Sequence, residues 1–468
     1  MEARTIQRIR PELSRHLRIY AGCFGRSQTR AHLEEYVRGQ LSDLPRKSVE
    51  PMADAAGVPA RTLQEFLGLS RWNEQMMRDR LQQKVAADHA SPQSVGYFDE
   101  TSFVKKGDKT ACVQRQYCGA SGKKDNCVVS VHLGYCAGDF HTLLDGEMFL
   151  PEHTWDPDLE RRREAGIPDD LAHRTKAQIA LGQYRRAVAN GVRFGWLTFD
   201  ELYGRDGPLL RALDEAGQNY VAEVPCDQYV WTTEPQVLQR RHGRDLQPRA
   251  GRPREYPRLK AKNLPRVPVQ NVLAYSPLLR KQAWTRYRVK DGSKGPMVWE
   301  AKHMLVWLAG EDGLPACGGR PYHLIVARNV LEPDKVKYFI SNAPPETGMD
   351  TLMPVAFSRW RIERMFEDSK MELGMDHFEV RQFLSIQRHL ILSCVSHLFL
   401  AEFWLRERGE KSGADHQPTG HGHTGADPAV AAPCSMHAGA GTGDCRPNPA
   451  DPGTQRQSRQ ESSQSHAA

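Results

Sequence analysis

The sequence predicts an α/β protein built on a mixed β-sheet, and three observations carry that reading. Residues 94–151 are strand-like: SVGYFDETSFVKKG (94–107), NCVVSVHLGYCAG (126–138) and DFHTLLDGEMFLP (139–151), with a glycine turn between the last two. RFGWLTFDELYGRDGPLLRALDEAG (193–217) then reads as strand, loop and helix, and NYVAEVP (219–225) as a returning strand. Further strand-like pieces, HMLVWLAG (303–310), YHLIVARN (322–329) and KVKYFISNAP (335–344), precede a long helix. Strands followed by strand–helix–strand alternation are the pattern of a mixed sheet with helices packed on it.

With 468 residues the chain has core enough for an enzyme of two or three domains. Lys and Arg number 64 against 57 Asp and Glu, a formal +7, so overall charge gives only a mild bias toward a polyanion. The ten cysteines form no CxxC pair, which argues against a disulfide framework or a structural zinc site and fits a reducing cytoplasm. The N-terminus MEARTIQRIRPELSRHLRIY lacks the apolar core of a secretory signal. The most apolar stretch, HLILSCVSHLFLAEFWL (389–405), is broken by His397 and Glu402 and reads as a buried helix rather than a membrane span. The expectation is a soluble, cytoplasmic protein with no membrane partner, nucleoid-associated when it is bound to DNA.

Along the chain, residues 1–90 read as a helical, basic region. Within it KSVEPMADAAGVPARTLQEFLG (47–68) gives a short helix, Gly57-Val58, and a second helix opened by Pro59, with Leu63, Phe66 and Leu67 on one side. Arg61 and Gln64 point outward; a helix-turn-helix offering them to a DNA groove and an ordinary helical hairpin both fit. Residues 91–225 form the first part of the α/β core, and 226–320 an inserted, β-rich, basic subdomain. From Arg240 to Arg266 there are ten Lys or Arg, Arg252 and Arg254 among them, against Asp245 and Glu255. That density beside Tyr256, in a Pro/Gly-rich run, favours phosphate contact over a merely solvated loop. Residues 321–407 complete the core, and the Gly/Pro/Ser/His-rich stretch 408–468 is expected to be disordered. The spacing of its His421, His423, Cys434, His437 and Cys445 fits no standard metal site.

Three carboxylates stand out by context. Asp99 lies at the end of the first strand of the α/β domain and Asp200 at the end of a later one, and ligands gather at strand ends in open α/β sheets. Carboxylates suit hard cations such as Mg2+ or Mn2+, and a third from a packed helix completes a two-ion site for phosphodiester chemistry. The helix holding SRWRIERMFEDSK (358–370) supplies it: Arg359, Glu363 and Lys370 share one face at i, i+4 and i+11, so the two cations can hold phosphate beside the acid. Glu367, one turn further on, is the competing acid. The interval from 200 to 363 far exceeds the dozen or so residues of a simple crossover, so a subdomain is inserted there.

VGYFDETSFVKKG, FGWLTFDELYG and RWRIERMFEDSKMELGMDHFEVR together resemble bacterial insertion-sequence DDE transposases, closest to the branch called insertion-sequence family seven-hundred-one. In the related branch with a Tyr-Arg-Glu-Lys signature, Arg359, Glu363 and Lys370 match by spacing. The tyrosine position falls on Ala356, with Phe357 beside it. The resemblance covers roughly residues 25–405 and implies an RNase H-like catalytic core with a β insertion, in which Trp299 and Trp307 either stack on DNA ends or pack in the core. It implies Asp99, Asp200 and Glu363 as catalytic metal ligands for two Mg2+ or Mn2+ ions, with Arg359, Lys370 and Arg381 on DNA phosphate. The implied partners are double-stranded DNA (terminal inverted repeats and target) and a second copy in a homodimeric synaptic complex. The implied reaction is metal-dependent strand cleavage and strand transfer. A non-catalytic DNA-binding protein derived from a transposase and a structure-selective RNase H-fold nuclease are the alternatives.

Overall fold

The computed structural model describes residues 3–240, 255–292, 295–310 and 312–414. Arg252, Arg254 and most of their basic run, and the expected disorder and His/Cys cluster of the tail, therefore lie outside the described residues.

Among the described residues five helices precede the sheet: Ala3–Leu17, Ser27–Gln40, Val49–Ala56, Ala60–Gly68 and Glu74–Asp88. Two of their boundaries have a clear local cause. Val49–Ala56 ends at Gly57, whose φ of 70° is the left-handed conformation that glycine reaches without a Cβ penalty. Glu74–Asp88 starts where the Asn73 side chain accepts the Met76 N–H. Leu63, Phe66 and Leu67 are fully buried, and Trp72 stacks on Phe66 with ring centroids 5.6 Å apart.

These helices are fastened to the long C-terminal helix Phe383–Ala414. Its Arg388 donates to the carbonyls of Leu67 and Ser70 and lies 4.5 Å over the Trp72 ring, while His389 pairs with the Tyr36 hydroxyl at 2.8 Å. By length and composition this helix can cross a bilayer, but 83% of its apolar window is buried inside the protein. It is a core helix, packed against the N-terminal helices and the sheet.

The strands are β1 (Val95–Val104), β2 (Gln114–Cys118), β3 (Lys123–Ala137), β4 (Phe140–Met148), β5 (Trp196–Phe199), β6 (Tyr220–Val224), β7 (Tyr229–Trp231), β8 (Val237–Leu238), β9 (Arg258–Leu259), β10 (Val267–Pro268), β11 (Thr285–Gly292), β12 (Gly295–Leu308), β13 (Tyr322–Asn329) and β14 (Val336–Ser341). All but β8 and β9, which pair with each other, join one mixed sheet in the order β10-β7-β12-β13-β14-β6-β5-β1-β3-β2, with β4 also on β3 and β11 also on β12. The α/β class with a large mixed sheet is as the sequence indicates. Its centre, β4-β3-β1-β5-β6, is an antiparallel meander followed by two parallel steps. The segment 226–320 supplies β7 to β12, of which β7, β10, β11 and β12 continue the sheet outward from β13.

β3 is buried without a break from Cys127 to Cys136, because helices cover both of its faces. On one face lies Trp360–Met371, burying Ile362, Met365 and Phe366, each worth about 1.5–3 kcal/mol. That helix closes on β3 at Gly134, where a Cβ would stand 2.9 Å from the Met365 sulfur. On the other face the helix Lys176–Ala189 donates from Gln183 to the Val131 carbonyl at 2.8 Å.

Candidate active site

β1 and β5 run parallel, in register from Val95↔Trp196 to Phe98↔Phe199, so the next step sets Asp99 beside Asp200. β5 and β6 are paired up to Phe199↔Ala222, and the next step there sets Glu223 beside Asp200. Three carboxylates thus stand in a row across three parallel strands, where β5 ends; Asp99 does not end its own strand as the sequence suggests, because β1 stays paired with β3 as far as Val104. β5 stops at this row because the Asp200 carboxylate accepts the Leu202 N–H at 3.0 Å and caps the short turn Glu201–Gly204.

The row is electrostatically stressed. Burial pushes the Asp99 carboxyl up to about 7; Arg359 opposes the shift, and Asp200 and Glu100 add to it. Asp200 is raised too, by burial first and then by Glu100. Glu100 itself faces the other side of β1, held by Lys176 Nζ at 2.7 Å and the Tyr203 hydroxyl at 2.9 Å.

Arg359, at the start of the helix Trp360–Met371, supplies the compensating charge. Its Nη1 donates to Asp99 Oδ2 at 2.8 Å and its Nη2 reaches Glu363 Oε1 at 3.0 Å. Asp200 and Glu223 also lie within its field. Glu363 is therefore brought to the row through Arg359, with its side chain 58% exposed. Glu367 turns away, paired with Arg364 at 3.1 Å.

The other sequence candidates are spread more widely. Lys370 lies two turns along the same helix face, 5.6 Å over the Phe103 ring, and burial lowers its pKa. Arg381 lines a separate cleft with Asp108, Lys109, Arg161 and Glu164, and its carbonyl accepts the Ala111 N–H. Arg61 and Gln64 are exposed on Ala60–Gly68, the second helix of the pair joined at Gly57, with Arg61 2.6 Å from Glu65. Trp299 is 6% exposed and packs on Phe357, ring centroids 4.7 Å apart, and Trp307 pairs across to Trp231 on β7. Glu223, which bonds Lys337 at 2.6 Å, did not stand out in the sequence. The signal was an acid closing the third strand, NYVAEVP, as Asp200 closes the second.

Asp99 and Asp200 are adjacent, desolvated oxygen donors whose mutual repulsion a hard cation relieves, so their chemistry fits Mg2+ or Mn2+. Among the described residues no three His, Cys, Asp or Glu side chains are gathered closely enough to hold a metal ion.

Over 208 residues the chain is 30% identical to a protein of Microchaete diplosiphon described as a probable transposase for insertion sequence element IS701. The match takes in 44% of this chain, which spans about half the length of that curated relative (50%). A solved structure, the NurA nuclease from Sulfolobus solfataricus, overlaps 72% of this chain and 91% of its own at 11% identity, and its TM-score of 0.25 carries no argument. The family described as DDE superfamily endonuclease matches residues 20–296, a span that includes Asp99 and Asp200. That match covers more than half of the chain, and the protein belongs to the DDE superfamily of endonucleases.

Proposed function

We propose that this protein is an insertion-sequence transposase that binds the terminal inverted repeats of its element, cuts the strand ends and joins the 3′ hydroxyls to target DNA. The observation that carries the reading is the placement of Asp99 and Asp200 side by side where the parallel strand β5 ends against β1, with Arg359 linking Asp99 to Glu363. The strand order β4-β3-β1-β5-β6, three antiparallel and then parallel, supports an RNase H-like core, with 226–320 as its β-rich insertion.

In this reading Asp99, Asp200 and Glu363 hold two Mg2+ or Mn2+ ions. Bound there, such ions lower the pKa of an attacking water or hydroxyl and neutralise the leaving oxygen. Asp99 gives up its proton before it can serve as a ligand, which its raised pKa places near neutrality. Arg359, released from Asp99, turns its two-pronged donor to a DNA phosphate, and Lys370 offers a second cation on the same helix face. The helix pair 49–68 reads the terminal repeat through Arg61 and Gln64, and two copies hold two ends together.

The test is incubation of the full chain with Mn2+ and a duplex carrying the DNA that flanks its gene. Cleavage at the element end followed by joining to a second duplex supports the reading. Cleavage without joining makes the protein a nuclease, and binding without cleavage makes it a DNA-binding derivative.

A further inference from the structure

Beyond the covered part of the sheet, β2 and the first residues of β3 form an exposed hairpin. Residues paired across an antiparallel ladder share a face. Asp99↔His132, Thr101↔Ser130 and Phe103↔Val128 define the face of Asp99. Phe366, on the helix of Glu363, meets His132 edge-on there with ring centroids 5.2 Å apart. Two-residue steps along β3 continue that face through Asn126 to Lys124, whose partners on β2 are Arg115 and Tyr117. Arg115, Tyr117 and Lys124 therefore share the face of Asp99. From the level of His132 to Lys124 the strand covers roughly 26 Å at about 3.3 Å per residue.

The hairpin's charge is unbalanced. Arg115, Lys123, Lys124 and Lys106 are all exposed, and none of them makes an ion pair among the described residues, whereas the neighbouring Lys109 is paired with Glu164. Asp125, the acid inside the hairpin, is engaged with the N–H of Asn126 at 2.8 Å. Tyr117 stands 67% exposed between Arg115 and Lys124. β2 is an edge strand, and lysines alone would suit protection of an edge against pairing. An exposed tyrosine flanked by unpaired cations does not serve that purpose; it suits a sugar–phosphate backbone, with the ring against sugar and the cations on phosphates.

We propose that the β2–β3 hairpin is a duplex-DNA contact surface. It grips the backbone through Arg115, Lys124 and Tyr117 about eight base pairs from the point of cleavage, on the same side of the sheet as Asp99. This rests on the DNA-processing reading above and adds a surface to it. The spacing follows from strand and duplex both rising about 3.3–3.4 Å per unit.

The test uses the full chain and a fluorescent duplex of arbitrary sequence, with binding measured across a salt series. The Arg115→Gln/Lys124→Gln variant should lower the slope of log K against log salt by up to about 1.8, at 0.9 per lost phosphate contact. The single Lys124→Gln variant should lower it by about half as much, and both should keep the thermal unfolding midpoint of the wild type. Tyr117→Ala should weaken binding several-fold without changing the slope, because packing of the ring on a sugar neutralises no phosphate and releases no counterions. A double variant with the wild-type slope overturns the inference, the more so if it self-associates, which is the edge-protection outcome. Failure of the wild type itself to bind any duplex overturns the DNA reading and the hairpin with it, and is told apart by that control.

Discussion

The Arg359 guanidinium is a bridge between carboxylates far apart in the chain, 2.8 Å from Asp99 on the first strand and 3.0 Å from Glu363 on its own helix. One cation thus holds the acid of the helix over the acids of the strands. In the proposed function divalent ions and this arginine compete for the same negative charge, and several consequences of that competition can be measured.

The first concerns pH. The Asp99 carboxyl is pushed up to about 7, far above its ordinary value of 3.8, chiefly by burial. Between those two values the folded state holds the proton that the unfolded state has lost, so this group takes stability away as pH rises from about 4 through 7. Asp99→Asn lacks that loss. Urea unfolding in EDTA should show the variant gaining on the wild type between pH 5 and pH 8. The reverse trend would remove the raised pKa. Mn2+ affinity of the wild type should climb across the same interval, because the ligand must be ionised.

The second separates the acids of the helix. Glu363 lies one turn from Arg359 and shares its guanidinium with Asp99, whereas Glu367 is occupied by Arg364. Glu363→Gln should abolish cleavage and leave DNA binding near wild type, and Glu367→Gln should keep most of the activity. Single-turnover cleavage of an end-containing duplex decides between them, and inverted results would move the third ligand to Glu367.

The third uses packing. At Gly134 a Cβ would lie 2.9 Å from the Met365 sulfur, on the helix that carries Glu363. Gly134→Val should destabilise the fold by about 1–3 kcal/mol and push that helix off the sheet. Cleavage should then fall much more than duplex binding. Equal losses in both would show that the helix position does not govern the chemistry.

The fourth addresses sequence reading. Arg61 and Gln64 sit exposed on the second helix of the pair joined at Gly57. Arg61→Ala/Gln64→Ala should reduce the preference for an end-containing over a scrambled duplex by about tenfold, within the 1–3 kcal/mol of a good base contact. Competition binding at fixed salt measures the ratio, and an unchanged ratio would make the pair an ordinary helical hairpin.

Much of this architecture is legible in the chain because its causes are local. The runs that become β1, β3, β4, β5 and β6 are apolar stretches followed within a few residues by glycine, proline or an acid, and the spacing of Arg359 and Glu363 already gives one turn of helix. What the sequence hides is long-range pairing. Nothing local in HMLVWLAG says that its strand pairs with both β7 and β13, so that 226–320 extends the central sheet. The second arm of Arg359 spans to a residue on another strand, and the row that includes Glu223 exists only through the parallel register. Trp299 reads equally well as a stacking or a core residue until Phe357 is seen against it.

The central claim is that Asp99, Asp200 and Glu363 act as one metal-holding unit on DNA. It is tested most directly by Mn2+ binding and end cleavage, measured together for the wild type, Asp99→Asn, Asp200→Asn and Glu363→Gln. Each substitution should weaken Mn2+ binding and abolish cleavage while leaving duplex affinity within a few-fold of wild type, because only metal ligands are lost. A variant that loses one of these carboxylates and still binds Mn2+ and cleaves like the wild type would contradict the account.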